Sequence, residues 1–255
     1  MPKIAIIQFP GVNSEYETAR SVESAGGTAD IVRFNAPSAM LHEYSGYILP
    51  GGFAYEDRVR AGAIAAKDDV MEIVSQAVTA GKPVLGICNG AQVLVESGLV
   101  PGEVLGNVEM SLAPNKTPGR QGFYSKWIYV KNEKTGEVLP MPIDHAEGRF
   151  TSNPATVEKA VTAGLVNLSY VDNIGGKSDG YNPNGSDADI AALGAYTSSA
   201  IAVMPHPERA NWLFQVPIGI SGNWGYRRRN ATPGDLYGPG PGRFMFDELV
   251  TRAKQ

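Results

Sequence analysis

The five residues Gly86-Ile87-Cys88-Asn89-Gly90 constrain this chain more than any other stretch. They follow the largely apolar Lys82-Pro83-Val84-Leu85, which reads as a short buried strand, and lead into Ala91-Gln92-Val93-Leu94-Val95-Glu96, which reads as a helix. Glycines two positions either side of a central nucleophile suit a sharp strand-to-helix turn, because bulky neighbours collide where the backbone folds back. The pattern is G-x-S-x-G with cysteine in place of serine. A cysteine there starts a helix, where unpaired backbone N–H groups favour an anion. A buried cysteine is more often an inert core residue, so the partners of Cys88 have to decide its role.

Elements upstream supply the fold class. Ile4 to Gln8 reads as a strand, and Ser14 as an N-cap whose hydroxyl accepts from the first turn of a helix over Glu15 to Ala25, stopped by Gly26-Gly27. Ala29 to Phe34 and Tyr47 to Leu49 read as two more strands, the latter ending in Pro50-Gly51-Gly52-Phe53. Strands alternating with helices imply an α/β fold with a doubly wound, mostly parallel sheet. Ligands gather at the carboxyl ends of such strands. That edge holds the loop after the first strand, the Gly51-Gly52 turn and Cys88.

Downstream, Pro101 to Gly122 is loop-rich, and Phe123 to Lys131 alternates as a half-buried strand does, with a hairpin turn over Lys131 to Gly136. Further strands are expected at Val138 to Ile143, Leu168 to Val171, Ile190 to Tyr196 and Ala200 to Met204, as antiparallel additions to the parallel core. Ile218 to Gly242 is rich in glycine and proline, carries Arg227-Arg228-Arg229, and precedes a helix over Arg243 to Ala253. With no internal repeat and no clean linker, residues 1–255 are read as one domain, 210–255 being its C-terminal extension.

A cysteine nucleophile needs a base, and the base needs a group to hold its ring. Of three histidines, His42 has no site-like neighbours and is expected at the surface, whereas His145 and His206 both stand in H-x-E, with Glu147 and Glu208. His206 is preferred because it directly follows the strand Ile201 to Met204, which delivers it to the edge that holds Cys88, and because Pro205 and Pro207 stiffen its backbone. Oxyanion donors are expected from the turn N–H of Gly51 or Gly52 together with that of Asn89.

Other function classes find no support. A formal charge of −4 leaves no electrostatic footprint for nucleic acid or anionic membranes. One cysteine permits no disulfide and no cysteine metal site, in keeping with a reducing, cytoplasmic setting, and no stretch reaches the roughly 20 apolar residues of a membrane span. Gly176-Lys177-Ser178 lacks the upstream glycine of a phosphate-binding loop, since Val171 stands there, and Gly238 to Gly242 is broken by Pro239 and Pro241. No cofactor is expected in this chain, so any ATP-dependent step belongs on another one.

Four segments, Pro50 to Tyr55, Arg60 to Ala65, Gly86 to Gln92 and Pro205 to Arg209, together resemble the class I glutamine amidotransferases, and within them the glutaminase subunits of phosphoribosylformylglycinamidine synthase. His145 to Phe150 also marks that subfamily, and the agreement runs from Lys3 to about Arg209. The resemblance implies a three-layer, flavodoxin-like sheet and a glutaminase that splits glutamine into glutamate and ammonia. Cys88 would attack the side-chain amide, His206 would act as base and then acid, and Glu208 would orient His206. Gly52 and Asn89 would supply oxyanion N–H groups, and Gln92, one helical turn beyond Cys88, would contact glutamine. It further implies that ammonia passes to a large synthetase subunit, which carries the ATP and magnesium and forms formylglycinamidine ribonucleotide in purine biosynthesis, with a small accessory subunit completing the complex. Departures from the family pattern are Ala146 for a common glycine, Tyr55-Glu56-Asp57-Arg58 for a Tyr-Gly-Asp run, and Ala91 for a common phenylalanine. The rival readings are a stand-alone Cys-elbow hydrolase or peptidase of similar fold, and a non-catalytic scaffold.

Overall fold

The computed structural model of the protein describes residues 1–117 and 122–255. The first half builds the parallel core. β1 (Lys3–Gln8), β2 (Thr28–Arg33), β3 (Gly46–Leu49) and β4 (Val84–Ile87) alternate with α1 (Glu15–Ser24), α2 (Ser38–Leu41) and α3 (Val70–Thr79), and α4 (Asn89–Glu96) follows β4. All four residues of β3 and of β4 are buried, as in a sheet covered on both faces. α3, which the sequence reading leaves unassigned, buries Val70, Ile73, Val74, Ala77 and Val78 at helical spacing and carries the β3-to-β4 crossover.

The second half adds β5 (Ser111–Pro114), β6 (Tyr124–Asn132), β7 (Val138–His145), β8 (Glu147–Thr151), α5 (Pro154–Thr162), β9 (Val166–Val171), β10 (Ile190–Gly194) and β11 (Ala200–Val203), then α6 (Gly222–Arg229) and α7 (Arg243–Arg252). The part of the expected Pro101 to Gly122 loop that falls at 118–121 lies outside the described residues. β5 and β8, both short, pair as a separate antiparallel ribbon.

The main sheet runs β2-β1-β3-β4-β11-β10-β9-β6-β7. From β2 to β11 neighbours are parallel, and from β11 to β7 they are antiparallel, so a doubly wound sheet carries an antiparallel wing. The sheet curls far enough that the edge strand β7 returns over the carboxyl ends of β4 and β11. The backbone N–H of His206, just past β11, donates to the Pro142 carbonyl in β7 at 2.9 Å.

Ser14 directly precedes α1, yet its hydroxyl caps nothing. The local cap preference yields to a tertiary contact: the N–H groups of Asn13 and Ser14 both donate to the Gly51 carbonyl at 3.2 Å, tying the start of α1 to the β3 turn.

The C-terminal tail packs onto its own domain. Arg228 donates to the Val216 carbonyl and Arg229 to those of Ile218 and Ile220, while Arg227 stacks on Trp224 with its guanidinium carbon 4.1 Å from the ring centre. The triple arginine folds its own loop. α7 buries Phe246, Leu249 and Val250, packing against α1 and the helical turn Pro207–Ala210.

Candidate active site

Cys88 sits between β4 and α4 with φ 49° and ψ −104°, a left-handed backbone uncommon for a non-glycine residue. Its surroundings hold it there. The Cys88 N–H donates to the Val203 carbonyl at 2.7 Å, and its carbonyl accepts from the Gln92 N–H at 3.1 Å. Both elbow glycines are required by close approach, since a Cβ on Gly86 would lie 2.5 Å from the Gly90 carbonyl oxygen, and one on Gly90 would lie 1.9 Å from that of Leu49. The thiol lies 3.6 Å from the Asp144 carbonyl oxygen in β7.

β11 runs parallel to β4 with Val203 opposite Ile87, so the residues that follow the two strands emerge side by side. That brings His206 to Cys88. Nδ1 of His206 lies 2.6 Å from Oε1 of Glu208, and both side chains are buried. Nδ1–H donates to the carboxylate, leaving Nε2 for the sulfur. Burial weighs against charge on this ring, but Glu208 and Cys88 outweigh it and raise its pKa well above the usual imidazole range. Arg209 flanks the same carboxylate, with Nη1 2.9 Å from Asp144 Oδ2 and Nε 3.8 Å from Glu208 Oε1.

The other H-x-E is not a pair. His145 is buried, but its Nδ1 lies 3.1 Å from Oδ1 of Asn115, and Glu147 instead accepts from the Ala61 N–H at 3.2 Å. His42 is exposed.

The Gly51-Gly52 turn closes the third side. A Cβ on Gly51 would lie 2.9 Å from the His206 ring, so the turn packs directly against the imidazole. The turn bonds to the loop after β1 through Asn13 N–H to Gly51 O and Phe53 N–H to Gly11 O, a ladder that leaves out the Gly52 N–H. Asn89 opens α4, so its N–H has no acceptor within the helix.

Asn89 and Gln92 carry more structural load than their sequence positions suggest. The Asn89 side chain accepts from the Ala54 N–H at 2.9 Å and donates to Asp57 at 3.0 Å and to Gln92 at 2.9 Å. Gln92 in turn donates to the Glu147 carbonyl at 2.5 Å. The Gln92 amide thus belongs to a network that clamps the 54–61 loop to α4 and β8. That loop is strained, with Tyr55, Glu56 and Asp57 all near φ +55°. Glu56 takes that conformation at the position where the resembling family commonly has glycine. Burial pushes the half-buried Asp57 carboxyl up to about 6, partly offset by its Asn89 hydrogen bond.

A cavity of about 690 Å³ between α7 and the faces of β4, β6 and β9 is lined by none of these side chains. No three metal-ligating side chains come together among the described residues.

Residues 1–233 match the CobB/CobQ-like glutamine amidotransferase domain family. Phosphoribosylformylglycinamidine synthase subunit PurQ of Methanothrix thermoacetophila is 37% identical over 268 residues, covering 97% of this chain and 96% of that one. The PurQ subunit of Pyrococcus furiosus is 38% identical over 224 residues, covering 84% and 92%. The chain belongs to the PurQ family. The solved PurLQS from Thermotoga maritima superposes with a TM-score of 0.69 at 26% identity, covering 98% of this chain and 99% of that one. The domain match ends at 233, ahead of α7, whereas the Methanothrix PurQ matches almost to the end of this chain.

Proposed function

We propose that this PurQ-family chain hydrolyses glutamine to glutamate and ammonia, and that the ammonia goes to a separate ATP-dependent synthetase subunit forming formylglycinamidine ribonucleotide in purine biosynthesis. The observation that carries the reading is the buried set of Cys88, His206 and Glu208 in a PurQ-family fold. The Cys88 thiol gives its proton to Nε2 of His206, the sulfur attacks the side-chain amide carbon, and the carbonyl oxygen takes up the electron pair. The N–H groups of Gly52 and Asn89 receive that oxyanion, each worth about 3 kcal/mol to the transition state. As the C–N bond breaks, His206 gives its Nε2 proton to the nitrogen, and ammonia leaves a γ-glutamyl thioester on Cys88. Water, losing a proton to the now neutral His206, cleaves the thioester to glutamate. Glu208 holds the ring in the required tautomer throughout.

ATP and magnesium belong to the synthetase subunit. By analogy with the Thermotoga maritima PurLQS, the partners are the PurL and PurS chains. Among the described residues no helix is long and apolar enough to cross a membrane, and we place the reaction in the cytoplasm. A stand-alone hydrolase of similar fold is less favoured, because the relatives that span nearly the whole chain are synthase subunits.

Cys88→Ala in the reconstituted complex tests the reading. Glutamine-dependent amidine formation should fall by roughly 10⁴-fold or more, while synthesis from added ammonia stays intact. Persistent glutamine-supported activity would overturn it.

A further inference from the structure

The site contains a second imidazole that the mechanism above leaves idle. His145 ends β7, the strand whose free edge meets both reacting groups: the Pro142 carbonyl accepts from the His206 N–H, and the Asp144 carbonyl lies 3.6 Å from the Cys88 sulfur. Its ring is 3% exposed, on the inward face it shares with Met141 and Ile143. The tautomer is fixed from outside. Asn115 donates through Nδ2 to the His145 carbonyl at 2.8 Å, and its Oδ1 accepts from the Gly148 N–H at 3.2 Å, so that Oδ1 also faces Nδ1 as an acceptor. Nδ1 therefore carries the hydrogen, and Nε2 presents a bare lone pair with no partner among the described residues. A buried acceptor left unpaired costs about 1–3 kcal/mol, so a site that keeps one needs a donor to meet it. Space is reserved as well, because a Cβ on Gly148 would fall 2.1 Å from this ring.

Resting on the glutaminase reading above, we propose that Nε2 of His145 accepts a hydrogen bond from the amide nitrogen of bound glutamine and then from the ammonia formed from it. The nitrogen must lie on this side, since Gly52 and Asn89 take the carbonyl oxygen on the other and His206 delivers its proton here. Burial and the charge on His206 push the His145 ring down to about 3, so it takes no proton from His206 or from the leaving group. A carboxylate in its place would stabilise ammonium, which is not a nucleophile. A neutral acceptor holds ammonia as the free base.

The test compares glutamine with the γ-methyl ester of glutamate, whose leaving oxygen carries no hydrogen to donate, by glutamate release in the reconstituted complex. His145→Leu should lower kcat/KM for glutamine about tenfold or more and leave the ester within about twofold of wild type. His145→Gln, which retains an accepting oxygen, should keep more of the amide activity than His145→Leu. Asn115→Leu, which frees the tautomer, should lower the amide-to-ester ratio with His145 still present. Each ratio is internal to its own protein and so is insensitive to partial misfolding. Equal losses on both substrates, or an unchanged ratio in all three variants, would overturn the proposal. A wild-type complex that released glutamate from neither substrate would refute the glutaminase reading itself.

Discussion

His206 and His145 carry the same local motif and end in opposite charge states. Glu208 and Cys88 raise the first ring, while burial beside that first ring lowers the second. Sequence logic could rank His206 ahead, because it follows an apolar strand, but could not see that His145 enters the same site. Its partner Asn115 lies 30 residues away, just past β5, a strand too short to carry a pattern. The elevated His206 ring makes a prediction at this scale. Glu208→Gln removes the carboxylate that favours the imidazolium, so the ring loses its proton at lower pH. The alkaline limb of the glutaminase kcat/KM profile should move toward acid, with a drop of about 10³-fold at its optimum. The sign for stability is the same. A histidine raised on folding contributes most below its unfolded pKa of about 6.5, and that contribution fades as pH rises through the folded value. The variant's stability should accordingly vary less with pH on the alkaline side, read by urea unfolding at a series of pH values.

At the scale of elements, the elbow was the most legible part of the chain, because its conformation is set by short-range sterics. Glycine at 86 and 90 reports backbone crowding, and the structure gives that crowding its contacts. The Leu49 carbonyl is backbone and cannot swing aside, so Gly90→Ala should destabilise the fold by about 3 kcal/mol, measured by urea unfolding. Glutaminase activity should fall with it. α3 was equally open to reading, since Val70, Ile73, Val74, Ala77 and Val78 follow helical spacing, yet the sequence reading passes over it. β5 and β8 were not open to it. Four or five residues carry too little periodicity, and they exist as strands only because each finds the other. At Ser14 the capping preference is worth about 1 kcal/mol, and a tertiary contact displaced it.

Across the whole molecule, the tail proves to be part of the site's support. Gly240 and Gly242 bring the chain close enough for their N–H groups to reach the carbonyls of Asn211 and Ala210, both at 2.8 Å, directly behind the His206 turn. α7 then buries Phe246, Leu249 and Val250, together worth roughly 5 kcal/mol. Removing residues 238–255 should lower the melting temperature and cut glutaminase activity at least tenfold. A tail that served only a partner would leave the melting temperature of the free subunit unchanged. Much about this protein was determined by sequence alone: the alternation of strands and helices, the strained turn at Cys88, and the kinds of side chain available for acyl transfer. These are properties of neighbours in the chain, enforced by backbone sterics and hydrophobic periodicity. Only the tertiary structure decided which histidine pairs with a carboxylate, that the far edge of a curled sheet returns to complete the site, and that Gln92 braces a loop. Each of those depends on residues tens of positions apart meeting in a packed interior, and no local pattern encodes such a meeting.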